Sequence, residues 1–217
     1  MSKKPFIIGL LILVVTGCRT APSRQFTVGN VLWEDDFSTA FGWDHFTGGS
    51  VQIGPVNGVY EMRSNTNQYV RGFNRSAHTV ADGVIEVQAM QFSPYNNNAY
   101  GVICRGAPND NAAGYYFLIG GDGSYSIRKG QDDDVNALVG WSRSTVINRG
   151  LNWNNIKAIC VEDYLALYVN GRFVADAHDS SFKSGYVGLV VAVAQGHEID
   201  VTFDDLIVHE ASLPGEK

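Results

Sequence analysis

The chain has 217 residues, 45% hydrophobic and 12% aromatic, with 24 glycines and only 18% charged residues. That is the composition of one globular domain rich in turns and strands, and it excludes a disordered or fibrous chain. A formal charge of −6 repels polyphosphate and anionic lipid alike, so nucleic acid is not an expected partner.

Lys3 and Lys4 form a short basic start, Phe6 to Val15 is an apolar run, and Thr16 and Gly17 precede Cys18. About ten apolar residues are too few for a membrane span, which needs about 20, but they fit the core of a secretory signal. Val15, Thr16, Gly17 and Cys18 resemble the bacterial lipobox. The resemblance implies a signal peptide over residues 1–17 and lipid on Cys18, so the chain would be anchored through acyl chains with its folded part outside the cytoplasm. Arg19 follows in place of the Asp that signals inner-membrane retention, which points to the outer membrane where there are two. An ordinary signal with a chance cysteine is the alternative. Cleavage would leave 14 basic against 22 acidic residues, a net charge of −8.

Residues 18–30 are short and polar and contain Pro22, which reads as a tether. From residue 31 to 211 the pattern is strand after strand, with residues 212–217 as a tail. GVIEVQAMQF alternates Val84, Glu86, Gln88 and Met90 against Ile85, Val87, Ala89 and Gln91. GYYFLIGGDGSYSIRKG is two strands joined at Gly120, Gly121, Asp122 and Gly123, where glycine supplies the positive φ of a tight turn. LALYVNGRFVADA repeats the device at Asn170 and Gly171. Turns at this spacing indicate one antiparallel sandwich or barrel, large enough to bury about 70% of its unfolded surface. Cys104 and Cys160 lie in apolar strand-like runs. Two inert buried thiols are the expected outcome there, and a disulfide is the alternative.

WEDDFST, GVYEM, YGVICRG, SGYVGLVV and VTFDDLIV, with the two hairpins above, resemble in that order the concanavalin A-like lectin/glucanase superfamily. The nearer likeness is to laminin G-like jelly-roll domains of bacterial surface proteins. The resemblance implies an all-β jelly-roll sandwich whose first and last strands lie side by side, bringing Asp35 and Asp36 near Asp204 and Asp205. It specifies fold more than function, because most matching positions are turn glycines or core residues.

Family 16 glycoside hydrolases share this broad fold and place a nucleophile and an acid/base on one strand. Laid on Glu198 and Asp200, the acid/base position falls on Thr202 or Phe203, and neither can protonate a leaving group. Asp204 is about 20 Å along the strand from Glu198, outside the roughly 5–10 Å that hydrolysis tolerates. These carboxylates therefore read as a solvated strand face. Motifs of the related 3-keto-disaccharide hydrolases do not align convincingly.

The five histidines lack metal-ligand spacing, and no Gly-x-Ser-x-Gly or HExxH is present. Asp132, Asp133 and Asp134 offer oxygen ligands for calcium, a familiar cofactor in this superfamily, although a solvated acidic loop is the plainer reading. Sugars have polar rims and apolar faces, so a binding site needs flat aromatics beside fixed hydrogen-bonding groups. Tyr95, Asn96, Asn97 and Asn98 form a polar loop with an aromatic, Arg105 closes a strand, and Tyr116 lies on the strand face opposite Tyr115 and Phe117. Those six residues are the expected ligand site, with Arg105 and Tyr116 on an open sheet face. Trp43, Trp141 and Trp153 are expected to plug the ends of the core. The function these features imply is recognition of a glycan or other envelope polymer. A glycan-processing hydrolase and a structural or protein-binding domain are the alternatives.

Overall fold

A computed structural model describes residues 21–109, 112–194 and 197–215. Cys18, with its expected lipidation, and the signal segment lie outside the described residues. Fifteen strands run through the described chain: β1 (Thr27–Asp35), β2 (Phe46–Gly48), β3 (Val51–Val56), β4 (Val59–Ser64), β5 (Tyr69–Phe73), β6 (Gly83–Gln91), β7 (Ala99–Gly106) and β8 (Gly114–Gly120). They continue as β9 (Ser124–Gln131), β10 (Asp134–Arg143), β11 (Asn154–Val161), β12 (Tyr164–Val169), β13 (Arg172–His178), β14 (Tyr186–Ala192) and β15 (Ile199–Ser212).

Period-two alternation sorts these side chains into two antiparallel sheets packed face to face. One sheet runs β13-β12-β11-β6-β15-β4-β3-β2, with β1 also paired to β15, and the other runs β10-β9-β8-β7-β14-β5. In β6, Ile85, Val87 and Ala89 enter the main core while Glu86, Gln88 and Met90 face outward and are only half-buried. In β8, Tyr115, Phe117 and Ile119 join that core, whereas Tyr116 and Leu118 pack on the other face with Phe73, Ile103 and Val190. This is the expected jelly-roll sandwich, and β1 and β15 do lie side by side, with Asp35 opposite Leu206.

The hairpins follow their turn chemistry. Asn170 and Gly171 both have positive φ, as the two central residues of a primed turn require. Asn57 and Gly58 do the same between β3 and β4, a second Asn-Gly signal equal to the first. Asp132 and Asp133 also have positive φ, so the acidic loop is the two-residue turn joining β9 to β10. Among the described residues, no group of three or more His, Cys, Asp or Glu is placed to hold a metal ion.

Three expectations need correction. The tether is shorter than residues 18–30, because Thr27 and Val28 already pair with Ser212 and Ala211. Cys104 and Cys160 form a disulfide rather than two thiols, since β7 and β11 belong to opposite sheets and face each other across the core with α-carbons 6.8 Å apart. Of the tryptophans, Trp43 is a core plug against Phe37 and Tyr60, but Trp141 and Trp153 are exposed.

Candidate functional site

The meander puts successive loops at alternate ends of the sandwich. Loop 92–98, turn 121–123, loop 144–153, turn 170–171 and the approach to β15 share one end, called here the loop end. The turns after β9 and β11 and the connection from β7 to β8 lie at the other. Hydrogen bonds knit the loop end together. Gly150 N donates to Gly121 O at 3.3 Å, and Asn170 Nδ2 donates to Val146 O at 2.7 Å and to Asn154 Oδ1 at 2.9 Å. Asn98, 1% exposed, accepts from Ala194 N at 2.8 Å and donates to Glu198 O, so it positions its neighbours.

Exposed apolar side chains gather at this end: Phe92, Tyr95, Trp141, Leu151 and Trp153. Single exposed hydrophobics are ordinary, but a cluster rimmed by polar groups marks an interaction site. Trp141, 48% exposed, lines a cavity of about 290 Å³ with Asn97, Asp122, Ser124, Ser142 and Arg143. Arg143 Nη2 donates to Asp122 Oδ2 at 2.8 Å. Asp122 Oδ1 accepts from Ser124 N at 2.9 Å, which fixes the carboxylate on the β8 to β9 turn. Burial opposes ionisation of Asp122, but the Ser124 hydrogen bonds and the Arg143 charge outweigh it and hold the carboxyl below its usual range. The cavity thus combines a flat ring with a fixed anion, a planar cation and an amide.

A second cavity, of about 540 Å³, lies on the other side of loop 92–98 and is lined among others by Gln52, Arg63, Phe92, Pro94, Glu198 and Asp200. Thr47, Gln52, Arg63 and Asp200 stand in register across four strands. Arg63 pairs with Asp200 at 3.1 Å and with Glu61 at 3.4 Å. Between the cavities Tyr95 stacks on His197, with ring centroids 4.3 Å apart and planes 13° off parallel, and His197 Nδ1 lies 3.2 Å from Asn97 Oδ1.

The structure does not assemble the six expected ligand residues into one site. Tyr95, Asn96, Asn97 and Asn98 are at the loop end, whereas Arg105 and Tyr116 lie toward the opposite end and are buried, at 3% and 0% exposure. Arg105 donates to the carbonyls of Ala81, Glu162 and Phe182 at 2.7–2.9 Å and to Asp82 Oδ1 at 2.9 Å. Its φ of 52° is costly for a residue with a Cβ, and these bonds over-determine it. Tyr116 packs edge-on against Tyr69 at 5.6 Å, and its hydroxyl donates to Ala112 O at 2.7 Å. Burial pushes its phenol pKa up. Both are architectural: the β7 to β8 connection brings an acceptor over Tyr116, and the segments before β6, after β11 and after β13 bring acceptors to Arg105. The candidate site residues that sequence reasoning did not single out as ligand-binding are Trp141, Asp122 and Arg143. Their signal was an aromatic and an arginine two residues apart, opposite the glycine-rich turn.

No protein-family model matches the chain, and no curated protein sequence matches it. Solved structures do. A carbohydrate-binding module, CBM66 from Bacillus subtilis, aligns with a TM-score of 0.57 at 17% identity, covering 79% of this chain and 97% of that one. SCLam, a non-specific endo-β-1,3(4)-glucanase of family GH16, aligns at 0.60 and 12% identity, covering 88% and 96%. A Bacillus subtilis protein of unknown function with a galectin-like fold aligns at 0.61 and 13% identity, covering 86% and 99%. Likeness at such identities establishes the fold alone, a jelly-roll β-sandwich shared with these proteins.

Proposed function

We propose that the loop end binds carbohydrate, and that the chain is a lipid-anchored envelope protein carrying this module outside the cytoplasm. The observation that carries the reading is the exposed Trp141 ring beside the Asp122 and Arg143 pair, with Asn97, Ser124 and Ser142 at the rim. An indole stacks on the apolar face of a sugar, while a carboxylate accepts and a guanidinium donates in plane to its hydroxyls. Tyr95 lies in the chain between Pro94, which lines the second cavity, and Asn97, which lines the first, and it stacks on His197. The similar structures named as a carbohydrate-binding module and glucanases support the substrate class.

The anchor reading is supported by where the chain enters the sandwich. Ser23 N donates to Asp176 Oδ2 at 2.6 Å and Arg24 pairs with Asp163 at 2.8 Å. Asp163 sits on the turn after β11, at the end away from the loops, so lipid on Cys18 would leave the loop end facing away from the membrane. Two or three acyl chains hold firmly, whereas one of myristoyl length is marginal.

A glycan array probed with the full chain, followed by titration of a hit against Trp141→Ala, tests the binding. The expected loss is roughly tenfold to a hundredfold in affinity. Unchanged affinity with an intact fold rejects the site. Hydrolysis is the second reading, because Glu198 and Asp200 share one cavity. Against it, the acid/base position falls on Thr202 or on the core residue Phe203, and neither carries an acid. Product analysis of any bound glycan separates the two: released shorter sugars would require an enzyme.

A further inference from the structure

We propose that the cavity lined by Phe92 and Arg63 is a second subsite, so that the loop end holds an extended, uncharged oligosaccharide across both cavities. The inference rests on the carbohydrate reading of the Trp141 cavity. Three observations carry it.

The second cavity repeats the chemistry of the first. Phe92 offers a ring 46% exposed, Arg63 a guanidinium oriented by Asp200 and Glu61, Gln52 an amide in the same cross-strand row, and Glu198 a further carboxylate at the rim. The loop backbone is pinned to this floor, since Phe92 N donates to Asp200 O at 2.7 Å. A site on regular strands with a fixed loop is preorganised, which spares part of the ordering cost of binding.

One loop serves both cavities. Pro94 lines the second and Asn97 the first, and three residues of chain reach at most about 11 Å. The ridge between them is itself aromatic, the stacked pair of Tyr95 and His197. A ligand leaving one cavity therefore meets a flat ring before it enters the next, which suits a chain of sugars and gives no advantage to a single unit.

Charge narrows the ligand. Arg63 is paired with Asp200 in a second cavity that Glu198 also lines, Arg143 is matched by Asp122 in the first, and the whole chain carries −6. Uronic or sulfated sugars would be repelled, whereas neutral hydroxyl-bearing units are accepted by all these groups.

Calorimetric titration of the full chain with β-1,3-linked glucose oligosaccharides of increasing length, from the disaccharide up, tests this, with an oligogalacturonate as the acidic probe. Affinity should rise at least tenfold from the disaccharide to the longest member. Phe92→Ala should remove that gain and leave the disaccharide unchanged, while Trp141→Ala should weaken every length. Phe92 is exposed, so its variant should melt with the wild type. A flat length dependence, or a Phe92→Ala variant with the full gain, overturns the second subsite and leaves the Trp141 reading standing. Failure of every glucose oligosaccharide to bind, or indifference to Trp141→Ala, overturns both. Equal binding of the oligogalacturonate overturns the assignment to uncharged sugars.

Discussion

Breaking the bond between Cys104 and Cys160 should cost the sandwich a large part of its stability. The two cysteines are 56 residues apart in sequence and join β7 of one sheet to β11 of the other. Loop-closure entropy for a ring of that size gives about 4 kcal/mol of stabilisation at 25 °C. In a domain of this length each kcal/mol moves the melting temperature by about 2–4 °C, so reduction should lower it by about 8–16 °C. Both cysteines are buried in the core, so added reductant should act slowly on the native fold and quickly once it opens. Scanning calorimetry on the oxidised chain and on chain reduced in denaturant and refolded with alkylated or protected thiols excluded would measure the difference. A reduced form that melts within about 2 °C of the oxidised one would refute the reasoning, because the sheets would then be held in register without the link.

Arg105→Ala should destabilise by at least about 1–3 kcal/mol, because it removes the donor from the carbonyls of Ala81, Glu162 and Phe182, and should leave glycan affinity untouched in whatever fraction folds. A melting point equal to wild type would contradict the hydrogen-bond arrangement described. Asp179 should govern part of the acid sensitivity. Burial alone would raise its carboxyl, but hydrogen bonds from Tyr115, Ser181 and Lys129 hold it well below the usual range. A depressed folded value adds stability above the unfolded pKa of about 4 and loses it as pH falls through the folded value. Asp179→Asn should therefore destabilise at pH 7 with a deficit that shrinks in acid, measured by melting at several pH values. Asp204 has the opposite sign: burial raises its carboxyl, and the charges of Asp205 and Asp36 add to the rise. Its ionised form costs stability at neutral pH, so Asp204→Asn should raise the melting temperature at pH 7 and gain less as pH drops toward 4; no gain at pH 7 would count against it. Cys18→Ser should release the chain from membranes, and unchanged retention with no lipid found by mass spectrometry on the wild type would refute the anchor.

The fold was legible because its signals are local. Alternation in β6 and the positive-φ pairs at Asn170 and Gly171 depend on near neighbours alone, and the structure keeps both. The site was legible only in part. Tyr95 and Asn97 sit where a polar loop with an aromatic suggested, but whether Trp141 is a core plug or a platform depends on what packs over β10. That strand is the edge of its sheet, a fact fixed by pairings far away in sequence. Arg105 misled for a related reason. Its partners, the carbonyls of Ala81, Glu162 and Phe182, come from three segments between 24 and 77 residues distant along the chain, and nothing local announces them. The disulfide needed the same information, namely that β7 and β11 oppose each other across the core.

The two ends of the sandwich thus do different work, and the division has a physical cause. At the end where the chain enters, Arg105, Asp82, Asp163 and Asp179 tie strand termini to loops through charge-assisted hydrogen bonds. At the loop end, backbone bonds hold the loops to one another while the rings of Phe92, Tyr95 and Trp141 and the guanidinium of Arg143 remain in solvent. Aromatic surface left in water costs free energy that burial would recover. The rigid floor beneath these rings makes that cost recoverable by a ligand with little further ordering. Substitutions at the entry end should then change melting and spare affinity, and those of exposed rings at the loop end should do the reverse. A variant such as Trp141→Ala that lowered both together would mean that the ring braces the loops instead of awaiting a sugar.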